Sequence, residues 1–481
     1  MSTDLRPLAC IARSARSALC GVVAIVSLLG CGGPALSPPL PTPDRVVLIT
    51  IDTLRADHVG TYGYPRDTSP FLDSLGERGV VFERAYASTS HTAPSHASLF
   101  TALELPQHRL LQNGESLHED LVTLAELYRD AGYQTAGFST AGFTKGLSAG
   151  FDTFEAKGRY HPAETILGLA RDWLATRDAT DKLFLWIHLF DVHEWHREDR
   201  LHDSGLRWLE EQALRGDALA EYHATHHGTR FGRLGRDEVL GAIDRYDGQL
   251  WATDRALESF YADVQGRFPA GHTVWVVTSD HGEGLGGHDF LGHGRFLYEE
   301  QLRVPLIVHW AGTAEDGAQG KVPEPRRVPQ SVGLVDLGAT LASWAGADFS
   351  AQPLPVVGRS LDPLFRGDAW ETRPLYAQRR PIDDFRRQQS WEEGEVFSTL
   401  DGRYKLIAQT SGAHEFYDLA VDPFEATNLF DDPNPELQAV RSELLRRLVR
   451  QYREMMESSE GLVGAGIDER HVEELRALGY L

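Results

Sequence analysis

Three apolar runs in this chain each end in residues able to do chemistry, and that pattern constrains the fold more than any other feature. Arg45-Val46-Val47-Leu48-Ile49-Thr50-Ile51 runs into Asp52. Leu183-Phe184-Leu185-Trp186-Ile187 runs into His188, with Asp191 and His193 close behind. Thr273-Val274-Trp275-Val276-Val277-Thr278-Ser279 runs into Asp280-His281-Gly282-Glu283-Gly284. Apolar runs without polar alternation are strands buried on both faces, as in a parallel sheet covered by helices. Open α/β sheets bind ligands outside the carboxyl ends of their strands. Asp and His at three such ends therefore predict one site along one edge of the sheet.

The rest of the chain fits that frame. Residues 69–79 predict a helix started by Pro70 and stopped by Gly79, and 121–133 an amphipathic helix followed by a strand over 134–139. Val80-Val81-Phe82 and 304–308 predict further strands, and 334–344 a helix. Residues from about 195 to 240 are charged and rich in histidine: His196, His202, His223, His226 and His227. They read as exposed helices inserted above the sheet, with His226-His227 on a solvated face in preference to a metal pair. Residues 404–407 and 416–419 predict a small antiparallel sheet, closed by a helix over 434–457. The fold class expected is α/β, a large mixed, mostly parallel sheet between helices with a smaller C-terminal antiparallel sheet. The divisions expected are 1–31, 32–43, 44–375 for a catalytic domain and 376–481 for a C-terminal subdomain.

Before residue 44 the chain has a different character. Arg6, Arg13 and Arg16 precede the apolar run 21–29, which is too short for a comfortable membrane span and has the layout of a secretory signal. Leu28-Leu29-Gly30-Cys31 resembles a bacterial lipoprotein box, which implies cleavage before Cys31, a lipid on its sulfur and anchorage in the bacterial cell envelope. A Pro/Gly-rich tether follows. The chain has 3 cysteines, at positions 10, 20 and 31, so a processed chain has no cysteine nucleophile, thiolate ligand or disulfide. The net charge of −23 argues against nucleic acid as a partner, but not against a small or polymer-linked anionic ester next to a bound cation.

The candidate nucleophile lies in Ser90-His91-Thr92-Ala93-Pro94-Ser95-His96-Ala97-Ser98-Leu99. Hydroxyls and imidazoles cluster there at the start of an apolar helix, where backbone N–H groups and the helix dipole favour an anion. A capped helix end is the plain alternative.

Together, 92–99, 278–284 and the C-terminal stretches Glu415-Phe416-Tyr417-Asp418-Leu419-Ala420-Val421-Asp422-Pro423 and Asn428-Leu429 resemble the sulfatases of the alkaline phosphatase superfamily. The resemblance runs from about 45 to 435. It implies a metal-dependent hydrolase of sulfuric or phosphoric esters, with Asp52, Asp280 and His281 at metal-ligand positions and Thr92 at the nucleophile position, its Oγ expected on the same ion. His188 and His193 match histidines facing the transferred group, and His293 falls where a substrate-contacting lysine is usual.

Two departures qualify the resemblance. Sulfatases place Cys or Ser at the nucleophile, in Cys/Ser-x-Pro-x-Arg, and convert it to formylglycine. Here the frame reads Thr92-Ala93-Pro94-Ser95-His96, as in the phosphodiesterase and phosphoethanolamine- or glycerophosphate-transferase branches. Thr53 stands where calcium-type sulfatases carry a second Asp, so Zn²⁺ or Mn²⁺ suits the set better than Ca²⁺ or Mg²⁺. One ion is the primary expectation; a second at Asp191, His193 and His293, as in two-metal branches, is the alternative. Thr92 is expected to attack phosphorus or sulfur, with His96, His188, His193 and His293 stabilising charge or protonating the leaving oxygen. Phosphoesters are favoured over sulfate esters. A catalytically silent binding protein is the competing class.

Overall fold

In the computed structural model, the strand predicted to end at Asp52 forms as β1 (Arg45–Ile51), with every residue buried. Residues 39–157, 160–312, 321–380 and 394–463 are described. The expected signal, Cys31 and most of the tether lie outside the described residues. β1 sits inside an eight-stranded sheet completed by β2 (Val80–Tyr86), β3 (Gln134–Ser139), β4 (Thr153–Ala156), β5 (Leu183–Leu189), β6 (Thr273–Thr278), β9 (Arg303–Ala311) and β10 (Arg326–Gly333). β7 (Gly284–Leu285) and β8 (Leu291–Gly292) form a separate two-stranded ribbon. The order in the large sheet is β10-β2-β9-β6-β1-β5-β3-β4. β9 runs antiparallel to both its neighbours and the other pairs are parallel, so the sheet is mixed and mostly parallel.

Register brings the chemistry together. β1 pairs in parallel with β5 on one side and β6 on the other, with Thr50 opposite both His188 and Thr278. The residues after these strands therefore leave the sheet at one edge, as the sequence pattern requires.

Alternating β1 side chains build two cores. Val47, Ile49 and Ile51 pack with the helices Pro70–Arg78, Ala163–Ala175 and Arg236–Arg267. Val46 and Leu48 pack with the helices Thr92–Thr101, Leu124–Asp130 and Leu334–Trp344. Each such aliphatic side chain contributes about 1.5–3 kcal/mol when fully buried, which fixes the strand ends against slippage. The helix expected over 121–133 is shorter, because Thr123 accepts from Glu126 N–H and caps the helix there.

The second sheet is β11 (Leu375–Arg379), β12 (Val396–Asp401), β13 (Tyr404–Gln409) and β14 (Glu415–Asp418), antiparallel throughout. The helix Pro435–Val463 closes it, with Leu444, Leu448 and Tyr452 packed on Phe397, Leu406 and Phe416. The insertion forms the helices Asp203–Glu210 and Gly216–His226. Their inner faces are buried, contrary to the expectation of wholly exposed helices. Gly205 meets Gly248 at the crossing of two helices, where a Cβ on Gly205 would lie 2.2 Å from the Gly248 carbonyl oxygen.

Candidate active site

Asp52, Thr92, Asp280 and His281 meet at the carboxyl edge of β1 and β6, all of them buried. Thr92 is the first residue of its helix. Its hydroxyl donates to Asp52 Oδ2 at 3.2 Å and lies 3.4 Å from His281 Nε2. His281 Nδ1 donates to the Gly282 carbonyl at 2.9 Å, so the neutral ring carries its lone pair on Nε2, towards the centre. Asp280 Oδ1 accepts from the Thr53 and His281 amides at 3.2 and 3.0 Å. Asp280 Oδ2 and Asp52 Oδ1 are buried without a hydrogen-bond partner.

Those two orphaned carboxylate oxygens, with the His281 lone pair, are what a divalent cation needs. Burial and the neighbouring Asp280 carboxylate push Asp52 up to about 7. Asp280 is held down: burial works against its charge, and His281, His96 and His188 outweigh burial. Without a cation the pair keeps a proton near neutrality; with one, both carboxylates can ionise. Asp52, Asp280 and His281 offer ligand atoms within 4.8 Å of one another. The donor set therefore fits the group.

Behind the centre, one hydroxyl fixes the state of two histidines. Thr50 Oγ1 lies 3.0 Å from His96 Nε2, His188 Nδ1 and Trp186 Nε1. His96 Nδ1 must donate to the Thr92 carbonyl, 2.8 Å away. Burial, with His188 alongside, lowers His96 to about 4, so the ring is neutral and its Nε2 accepts from Thr50. Thr50 then has two lone pairs left, for the indole N–H of Trp186 and the Nδ1–H of His188. His188 Nε2 is consequently a lone pair, and it faces Asp52 Oδ2 at 3.2 Å. His96 has both ring nitrogens engaged and neither left for a substrate oxygen, contrary to the acid role expected for it.

His193 and His293 occupy the partly buried rim, their rings 5.0 Å apart. Both Glu283 carboxylate oxygens lie 3.3 Å from His293 Nδ1 and Glu283 also accepts from the Trp195 indole. Burial opposes a charge on His293, but Glu283, Asp52 and Asp280 overcome it and raise the ring to about 9. His193 stacks on Phe190 and pairs with Glu194. Asp191 does not join them: its Oδ1 accepts from Tyr160, from the Ala163 amide at a helix start and from His202. Among the described residues, Asp191, His193 and His293 form no ligand cluster, so that second-metal set is not assembled.

The helix end also differs from expectation. The Ala93 amide donates to Asn113 Oδ1, Pro94 has none, and the Ser95 amide donates to the His91 carbonyl. The dipole persists there, but these first-turn amides are spent. Sequence reasoning missed the roles of Thr50, Trp186 and Glu283. The nearest signal was the position of Thr50 and Trp186 in strands ending in Asp52 and His188. Thr53 was read only as a substitution. It adopts φ 60°, a left-handed backbone that is costly for a β-branched residue, and its hydroxyl is buried without a partner. Tyr246 locks that backbone by donating to the Thr53 carbonyl and accepting from the Arg55 amide.

The sulfatase family model matches residues 44–347, and the model for the C-terminal part of N-sulphoglucosamine sulphohydrolase matches 286–454. The chain belongs to the sulfatase family. Its relatives include Delta 4,5-hexuronate-2-O-sulfatase of Bacteroides thetaiotaomicron, 24% identical over 474 residues that cover 88% of this chain and 93% of the relative. The multifunctional alkaline phosphatase superfamily protein PehA of Trinickia caryophylli is 24% identical, covering 82% and 92%. Among solved structures, phosphonate monoester hydrolase of Agrobacterium radiobacter superposes with a TM-score of 0.65 at 20% identity, covering 85% and 96%. This sulfatase-family chain is thus an ester hydrolase with the alkaline phosphatase-like fold, and enzymes of the family depend on metal.

Proposed function

We propose that unmodified Thr92 is the nucleophile of this hydrolase and that phosphoesters are its preferred substrates. The observation that carries the reading is the hydroxyl of Thr92, 3.2 Å from Asp52 and 3.4 Å from His281 at the metal-fitting cluster. Asp52 divides its oxygens: Oδ1 is left for an ion, and Oδ2 touches both Thr92 and His188. A divalent ion on Asp52, Asp280 and His281, with Zn²⁺ or Mn²⁺ the best match to these donors, would supply Lewis acidity at the substrate oxygen.

The chain's own residues account for the proton traffic. The Thr92 proton passes through Asp52 Oδ2 to the lone pair of His188 Nε2, kept free by Thr50. Thr92 Oγ1 then bonds to phosphorus as the ester P–O bond breaks. His293, held protonated by Glu283, gives its proton to the departing oxygen, with His193 beside it. Water next attacks phosphorus and gives a proton to the now neutral His293, while the Thr92 Oγ1–P bond breaks and His188 returns its proton to Thr92 through Asp52. His96 is a positioning residue that locks Thr50 and the Thr92 carbonyl.

Threonine also favours phosphorus. Hydrated formylglycine has a second hydroxyl whose deprotonation expels sulfate by breaking C–O, and Thr92 has only one. The relatives named as sulfatases favour sulfate as the competing substrate class, which in this chain would be a sulfuric ester hydrolase working without formylglycine. Aryl phosphate, aryl phosphodiester and aryl sulfate sharing one leaving group separate the two. A phosphoester should give the highest kcat/KM. A tenfold preference for the sulfate, about 1.4 kcal/mol of transition-state stabilisation, would overturn the assignment.

A further inference from the structure

We propose that His58, His223 and His227 form a second metal site, for Zn²⁺ or a similar divalent transition ion, that clamps the inserted helix Gly216–His226 to the loop following β1. The three side chains come from two distant stretches and are all buried. Ring centroids are 5.4 Å apart for His58–His223 and His58–His227, and 4.6 Å for His223–His227. One ring nitrogen of each lies within 4.8 Å of the other two. A tetrahedral ion with metal–nitrogen bonds of about 2.0–2.1 Å holds its nitrogens about 3.3 Å apart, so modest ring rotations close the gap.

Each ring has an oxygen behind one of its nitrogens. His58 Nδ1 is 2.7 Å from Asp247 Oδ1, both side chains fully buried. His223 Nε2 is 3.2 Å from the hydroxyl of Tyr64, which itself donates to Asp247 Oδ2 at 2.6 Å. His227 Nδ1 is 3.0 Å from Asp57 Oδ2, an ion-pair contact outside hydrogen-bond geometry that leaves this nitrogen buried without a hydrogen-bond partner. The Asp247 carboxylate behind His58, relayed to His223 through the Tyr64 hydroxyl, is an arrangement that orients metal-ligating histidines. With Nδ1 engaged, His58 has only Nε2 left, and that atom is buried without a partner. An unsatisfied buried polar atom is costly, and a ligand bond removes that cost. Burial also lowers His58 and His223, keeping both rings in the neutral form that binds metal.

Softness selects the ion, since three imidazoles suit zinc-like cations and not Ca²⁺ or Mg²⁺. Of the three histidines, His227 borders a cavity of about 320 Å³ that is also lined by Asp57, Arg55, Tyr222 and His288.

The test uses the full chain carrying Asp52→Asn and Asp280→Asn, which disable the catalytic cluster, stripped by chelator and titrated with Zn²⁺. One equivalent should bind, with a rise in Tm. Adding His223→Gln and His227→Gln should remove both the binding and the Tm response. No binding by the first variant, or binding undiminished in the second, would overturn the proposal. Co²⁺ absorption of the wild-type chain covers the case of a misfolded variant. Co²⁺ loading should fall from two equivalents in wild type to one in His227→Gln, the catalytic cluster keeping its own ion, and undiminished loading there would equally overturn the site.

Discussion

Thr50 is the residue on which the buried histidines depend, since its hydroxyl serves His96, His188 and Trp186 at once. Thr50→Val removes the donor for His96 and the acceptor for the other two. The expected result is a 10–100-fold fall in kcat/KM with a stability loss of about 1–3 kcal/mol. Thr50→Ser should restore most of both, read by kinetics and denaturant melts. Thr92→Ala should cost about 10³-fold or more in kcat while leaving metal content unchanged, whereas Thr92→Ser should retain activity. At this scale the site was largely legible. Asp52, Asp280 and His281 stand at strand ends where the fold gathers ligands. The role of His96 was not legible, because it depends on a hydrogen-bond partner 46 positions earlier in sequence. Neither was the fate of Asp191, which is spent on the Ala163 helix start and on His202.

Among the elements, strands were read well because both faces of each are buried and the apolar runs are unbroken. The long helix Arg236–Arg267 was overlooked, although Val239, Ile243, Tyr246, Leu250, Leu257, Phe260 and Val264 are buried at helical spacing. Its surface charges and internal glycines masked that stripe. The same masking hid the pairing of His223 with His227, four residues apart on one face, while His226 alone points outward. The insertion is also tied down through His202, whose Nε2 is 2.6 Å from Asp191 Oδ1. Burial lowers the affinity of His202 for a proton, but the Asp191 bond and charge prevail and raise it. A raised histidine contributes stability that is fully present below its unfolded value of about 6.5 and is lost as pH rises through the folded value. Wild type should therefore exceed His202→Gln in Tm at low pH, with the gap narrowing as pH rises. A gap independent of pH would exclude this ion pair as its source.

Over the whole molecule, two sheets and one insertion converge on a single edge, and the small sheet is joined to the stretch before Thr92 by the Gln378 amide donating to the Ser88 carbonyl. Among the described residues no helix is long and apolar enough to cross a membrane. We propose that attachment comes from lipid on Cys31, which would place the site near phospho-head-groups of envelope polymers. The native protein should then sediment with membranes, and Cys31→Ser should release it or leave it unprocessed; a fully soluble native protein would exclude the anchor. The central claim remains the identity of the nucleophile. Acid quenching during turnover of an aryl phosphate, followed by peptide mapping, tests it most directly. The account predicts a phosphoryl group on Thr92, and on no other residue. An oxidised or otherwise converted residue 92, or a phosphoryl group trapped elsewhere, would contradict it.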